Sequence, residues 1–191
     1  MSTSSPLELR TERLLMRLPS AEDAGMYLSY YERNREHLGP WEPTRPATFY
    51  EHNWWEEFLT RTIPAYEEES RVGFGMYLKA DSDLSPSPLI GVVNLSNIVR
   101  GAFQACHLGY SIDATQEGKG LMSEALVAAL GYAFDSLRLH RVMANYQPTN
   151  ERSAQLLRGL GFETEGFARD YLFLDGEWKD HVLTAKIRPS V

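Results

Sequence analysis

The sequence predicts a mixed α/β fold, with one central β-sheet carrying helices on its faces. Two observations lead there. From Val72 onward, segments of strand character and segments of helical apolar spacing follow one another in the order strands, helix, strand, helix, strands. Turn chemistry then sits where strands would have to reverse, at Asp81 to Pro88 and at Asp175-Gly176. A chain of 191 residues suits one domain with a substantial core. That domain is expected over residues 7–187, with 1–6 and 188–191 as tails.

The elements follow in order. Leu7 to Leu18, containing Arg13-Leu14-Leu15-Met16-Arg17-Leu18, reads as a first strand, closed by Pro19 and Ser20. Ser20 with Glu22 and Asp23 starts a helix running to about His37, through its cap hydroxyl and acidic first turn. Leu38 to Pro46 holds three prolines and a glycine, which excludes regular structure. A second helix places Phe49, Trp54, Trp55, Phe58 and Leu59 on one apolar stripe, expected in the core. Glu67-Glu68-Glu69 reads as a solvated face. Val72 to Lys79 and Leu89 to Ile98 form an expected hairpin, and Ala105 to Ile112 a further strand. Leu121, Met122, Ala125, Leu126, Ala129, Leu130, Ala133, Phe134 and Leu137 recur at helical spacing. His140 to Tyr146 reads as a strand. Asn150 caps a short helix that stops at Gly161. Gly166 to Leu174 and Trp178 to Ile187 close the chain as a hairpin.

Composition narrows the function. The 19 Lys and Arg against 26 Asp and Glu leave a net charge of −7, so the basic face of a nucleic-acid binder is not expected and no direct nucleic-acid contact is predicted. Such acidity suits either a cationic amine substrate or plain solubility. No apolar run reaches the roughly 20 residues of a membrane span, so no membrane partner is expected. The first residues lack the pattern of a signal peptide, and a lone cysteine, Cys106, excludes an intrachain disulfide. A cytoplasmic setting is the expectation. Cys106 and His107 are adjacent on a strand and point to opposite faces, which argues against a thiol–imidazole pair. Five histidines without ligand spacing predict no metal.

The chemistry gathers at Gln116-Glu117-Gly118-Lys119-Gly120-Leu121, between a strand and a helix. A helix N-terminus leaves N–H groups unpaired and carries about half a positive charge, which suits a pyrophosphate. Gly118 and Gly120 let an anion approach the backbone, Gln116 offers an amide donor, and Lys119 adds a cation at the rim. Asp113 stands where a nucleotide P-loop needs glycine, and Ser123 where a dinucleotide fingerprint does.

Gln116-x-Gly118-x-Gly120 resembles the acetyl-CoA loop of the GNAT family of N-acetyltransferases. Asn150-Glu151-Arg152-Ser153-Ala154, with Gly161-Phe162 eleven residues after Asn150, is similar to that family's second signature. Asn34-Arg35-Glu36-His37-Leu38-Gly39-Pro40-Trp41-Glu42-Pro43, His140 to Tyr146, Asp170-Tyr171-Leu172 and Trp178 to Ala185 resemble the branch that acetylates the N-terminal alanine of ribosomal proteins. The resemblance spans residues 7 to 187.

The resemblance implies a sheet splayed at the cofactor site and acetyl-CoA as co-substrate. Ser111, Ile112, Gln116, Gly118, Lys119, Gly120, Leu121, Asn150 and Ser153 would bind it. Trp41, Glu42, Arg45 and Tyr171 would line the acceptor groove, where the N-terminus of an S5-like ribosomal protein is the implied partner. Glu165 is a candidate base, set against a structural carboxylate, and Ser153 a second catalytic candidate. Many relatives carry a tyrosine acid where this chain has Leu157. Two alternatives stay open. One is acetylation of a small amine, a polyamine or aminoglycoside. The other is a non-catalytic factor acting on ribosome-assembly intermediates.

Overall fold

The computed structural model describes residues 7–79 and 87–189. Eight strands make one mixed sheet: β1 (Glu8–Arg10), β2 (Leu14–Arg17), β3 (Val72–Leu78), β4 (Leu89–Val99), β5 (Ala105–Ile112), β6 (Arg141–Met143), β7 (Glu163–Leu174) and β8 (Glu177–Ile187). They lie in the order β1-β2-β3-β4-β5-β6-β8-β7. Each neighbouring pair is antiparallel except β5 and β6, which are joined by a helical crossover. The helices are α1 (Ala24–Arg33), α2 (Arg35–Leu38), α3 (His52–Thr60), α4 (Thr62–Glu67), α5 (Leu121–Gly131) and α6 (Glu151–Gly159).

Apolar side chains cover both sheet faces. On one, Leu121, Ala125, Leu126 and Ala129 of α5 and Leu157 of α6 pack on Met16, Phe74, Val93 and Cys106. On the other, Tyr27 and Tyr30 of α1 and Trp55 and Leu59 of α3 enclose Phe49, Tyr77, Leu89 and Val92. Each fully buried leucine contributes about 1.5–3 kcal/mol. Cys106 is sealed in this core, and burial pushes its thiol up to about 12.

Several elements depart from the sequence expectation, each for a local reason. The expected first strand is two, because Thr11 reverses the chain. Its hydroxyl accepts from the Leu14 amide at 2.9 Å, and Leu9 then lies opposite Met16. The expected helix to His37 breaks at Asn34, whose side chain donates to the Tyr30 carbonyl at 2.9 Å and so competes with the helical ladder. The aromatic stripe occupies a 3₁₀ turn (Ala47–Tyr50) and α3, and its residues are buried or half-buried as expected. A π-helical turn (Tyr132–Ser136) ends the segment after α5. The strand expected over His140–Tyr146 is regular only at Arg141–Met143 and continues as an isolated bridge between Tyr146 and Val182. The strand expected from Gly166 begins at Glu163. Most of the predicted turn at 81–88 falls outside the described residues.

The feature that makes a site is the short pairing of β5 with β6, limited to Ala105–His107. Beyond it, Leu108 to Ile112 has no strand on that side. The Asp113 amide donates to the Ile90 carbonyl at 2.8 Å. With that register, Ser111 and Gly109 turn their backbone groups toward β4, while Leu108, Tyr110 and Ile112 turn theirs into the gap.

At the exit of β5 sits a buried carboxylate. Asp113 accepts from Arg33 Nε at 2.6 Å, Asn34 Nδ2 at 3.1 Å, and the Thr115 amide at 2.9 Å and hydroxyl at 2.7 Å. Asn34 in turn accepts from the Ala114 amide at 3.0 Å, so the end of α1 is tied to the β5 exit. Burial works to raise the Asp113 pKa, but the bonds from Thr115, Arg33 and Asn34 prevail and hold it well below the usual carboxylate range. A folded-state pKa below the unfolded one adds stability above about pH 4 and loses it as the pH falls further. Asp113→Asn is therefore expected to cost about 2–3 kcal/mol in urea unfolding at pH 7. The gap from wild type should narrow at pH 3, and a gap independent of pH would contradict the ionised lock.

Candidate active site

A cleft of about 1520 Å³ runs through the opening beside β5. One end is the glycine loop. Gly118 and Gly120 adopt φ of +72° and +74°, a left-handed conformation that strains any residue with a Cβ. Gly120 is the N-cap of α5 and supplies no capping side chain, while its carbonyl accepts from the Glu124 amide. The amides of Leu121, Met122 and Ser123 therefore begin the helix without helical partners, and all three residues line the cleft. The loop is also held from behind: Arg13 donates to the Lys119 carbonyl at 2.9 Å and pairs with Glu124 at 2.7 Å. Glu117 pairs with Arg152 and lies 3.4 Å from His37.

The wall beside the gap comes from α6. Asn150 Oδ1 accepts from the Ser153 amide at 3.0 Å, capping the helix as its sequence position predicts. Ser153 Oγ shares a 2.7 Å hydrogen bond with the Tyr110 hydroxyl. Burial pushes the Tyr110 phenol up to about 12, with the Ser153 bond acting the other way, so it stays protonated and able to donate. On the opposite face of β5, Ser111 Oγ shares a hydrogen bond with the Tyr30 hydroxyl at 2.9 Å.

The third part of the cleft lies over the α1–α4 face. Trp41, half-exposed, and Glu42 and Arg45 line it. Glu42 pairs with Arg45 at 2.8 Å, and the guanidinium stacks on Phe49 with 4.5 Å to the ring centroid. The tip of the β7–β8 hairpin is fastened to this segment, since the Asp175 amide donates to the Glu42 carbonyl at 3.1 Å.

Of the residues expected from the sequence, Ser111, Ile112, Gln116, Gly118, Gly120, Leu121, Asn150, Ser153, Trp41, Glu42 and Arg45 line this one cleft. Lys119 stays at the rim, donating to Gln116 Oε1 at 3.0 Å. Two more of the expected residues are not among its lining. Glu165, on the edge strand β7, is exposed and paired with Arg141 of β6. Tyr171 does not line the cleft; its hydroxyl accepts from Asn145 at 3.1 Å and its ring packs on His181. Leu157 is buried in the larger core. Sequence reasoning missed Tyr110, and it missed the Arg33–Asn34–Asp113 lock. Strict alternation along β5 was a signal for Tyr110, placing it on the face opposite Ser111.

A family model described as acetyltransferase (GNAT) domain matches residues 13–163. The chain belongs to the GNAT acetyltransferase family. This acetyltransferase is 46% identical over 184 residues to the [ribosomal protein uS5]-alanine N-acetyltransferase of Escherichia coli, covering 96% of this chain and 92% of the relative. Its fold superimposes with a TM-score of 0.88 on the ribosomal-protein-S5-alanine acetyltransferase of Vibrio fischeri, at 38% identity and 95% and 96% coverage. Mycobacterium smegmatis RimJ in complex with CoA-disulfide aligns with a TM-score of 0.85 at 25% identity, over 95% of this chain and 86% of that one.

In the acetyltransferase, a bulky residue at Gly120 must enter a left-handed conformation at the anion site. Gly120→Val is expected to weaken coenzyme A binding at least tenfold in calorimetry with the melting temperature lowered by only a few degrees. Unchanged affinity would remove the loop from the site.

Proposed function

We propose that the protein transfers acetyl from acetyl-CoA to the α-amine of the N-terminal alanine of a ribosomal protein of the uS5 kind. The observation that carries this is the single open cleft joining the glycine loop to a broad acceptor face, in a chain nearly half identical to an enzyme of that specificity. A pocket for a small polycation needs uncompensated carboxylates. Of the three carboxylates lining the cleft, Glu42 is held by Arg45 and Glu117 by Arg152, which leaves Glu36 alone without an ion pair among the described residues, a single site for a polycation. Arg45 and Arg71 add donors suited to the carbonyls of an entering peptide.

The chemistry asks little of the enzyme. A terminal α-amine has a pKa near 7.7–8.0, so about a tenth is neutral at pH 7. Its nitrogen forms the bond to the acyl carbon while the carbon–sulfur bond breaks. The loop and α5 N-terminus bind the pyrophosphate, and the gap-facing amides of β5 hold the arm and the thioester oxygen. Ser153, backed by the protonated Tyr110, stands on the α6 face, where a departing thiolate can take a proton.

Thiol release should be followed with an alanine-starting uS5 peptide, the same peptide blocked at its N-terminus, and a polyamine–aminoglycoside mixture. Turnover with the free peptide alone is expected. Turnover with the small amines alone would overturn the acceptor, and none at all would favour a non-catalytic role. Ser153→Ala is expected to lower kcat about tenfold while coenzyme A affinity stays within threefold; full activity would clear Ser153 of a catalytic part.

A further inference from the structure

We infer that His181 of β8 is the group that receives the proton from the attacking amine. The inference rests on the proposed direct-attack reading.

His181 is buried, yet it lines the cleft. Its Nδ1 lies 3.0 Å from the Lys179 carbonyl oxygen. A carbonyl can only accept, so Nδ1 carries the hydrogen and the neutral ring keeps its lone pair on Nε2. Among the described residues nothing bonds to Nε2. Nor is it one of the sealed, partnerless atoms, a state His107 Nδ1 does occupy. As His181 lines the cleft, Nε2 is the ring nitrogen left to meet a ligand there.

The ring is also held in place. Tyr171 packs on it with centroids 5.4 Å apart. The Tyr171 hydroxyl is fixed by Asn145 Nδ2 at 3.1 Å, and Asn145 Oδ1 accepts from the Thr184 amide at 3.2 Å. Two lining residues are thus joined to one behind them, which is what orienting a base requires.

Strand alternation sets the face. Thr184 borders a small cavity with Ala154 and Leu157 of α6. His181, three residues earlier, projects to the other side, over the acceptor half of the cleft. Tyr146 is bridged to Val182, so His181 adjoins the strand that leaves β5. The base and the Ser153–Tyr110 pair then flank the gap from opposite faces. The balance of the step is simple. The nitrogen gains the acyl carbon and gives one proton to Nε2, which returns it to water in the open cleft. The sulfur takes the electron pair of the broken carbon–sulfur bond and a proton from the Ser153 side.

The test is His181→Asn, whose amide retains a donor for the Lys179 carbonyl but offers no base at the Nε2 position. With the alanine-starting peptide, kcat is expected to fall about 100-fold, while the peptide KM and the coenzyme A Kd stay within threefold. In His181→Ala, added imidazole is expected to restore at least tenfold of the lost rate. A kcat for His181→Asn within twofold of wild type would overturn the inference. So would a loss traced wholly to coenzyme A affinity. Melting temperatures of both variants are compared first; if the alanine variant does not fold, the split between kcat and KM in the asparagine variant decides alone. The wild-type control separates this test from the acceptor reading. A wild type silent on the peptide overturns that acceptor, and His181→Asn is then measured on the small amine it does acetylate.

Discussion

The rest of the structure depends on a strand that loses its partner. β5 pairs with β6 for three residues and then runs alone on that side. Unpaired backbone amides and carbonyls in a protein interior are costly unless something else satisfies them. The gap therefore exists only because the fold stiffens its borders and because a ligand with its own donors and acceptors can take the missing strand's place. Asp113 fixes the end of β5 to α1, and the glycine loop then delivers α5 with its first amides toward the opening. The core cluster beneath, with Ala125 and Ala129 fully buried, lets that helix lie close to the sheet.

Charge follows the same arrangement. The net charge is negative, yet the acids nearest the loop are already committed: Glu124 to Arg13, Glu117 to Arg152, Asp113 to Arg33. An anion arriving at the α5 N-terminus meets paired carboxylates and unpaired amides. Glu36, further along the cleft, is a lining carboxylate without an ion pair among the described residues.

Much of this was legible in the chain, and the limits have physical causes. Gly118, Gly120 and Asn150 could be read because their roles are local: a left-handed turn and a helix cap depend on a few neighbouring residues. The strands from Val72 to Ile112 could be read because half-buried and buried strands have strong composition. The split at Thr11 and the break at Asn34 depend on single side-chain bonds that compete with the ladder. Glu165 falls outside the cleft's lining, since nearness in sequence to Gly161 says nothing about direction. The strand runs back past β6, and Arg141, out of reach in a linear reading, captures the carboxylate. The Arg33–Asp113 pair joins residues 80 apart, and only the fold brings them together. His181 sat within a recognised motif without a role, since a lone histidine acquires one only when its second nitrogen is seen to be free.

The gap passes through the sheet from face to face, and that has a kinetic meaning. Glycine loop and α6 line one part of the cleft, while Trp41, Glu42 and the β7–β8 hairpin line another. Two ligands that meet end to end within the sheet need not pass one another to leave. In the proposed reaction, acylated product and spent carrier would lie on different parts of the cleft, and which goes first would be set by their relative affinities. A single molecule built to mimic both at once would have no such freedom. It would have to be threaded through the opening.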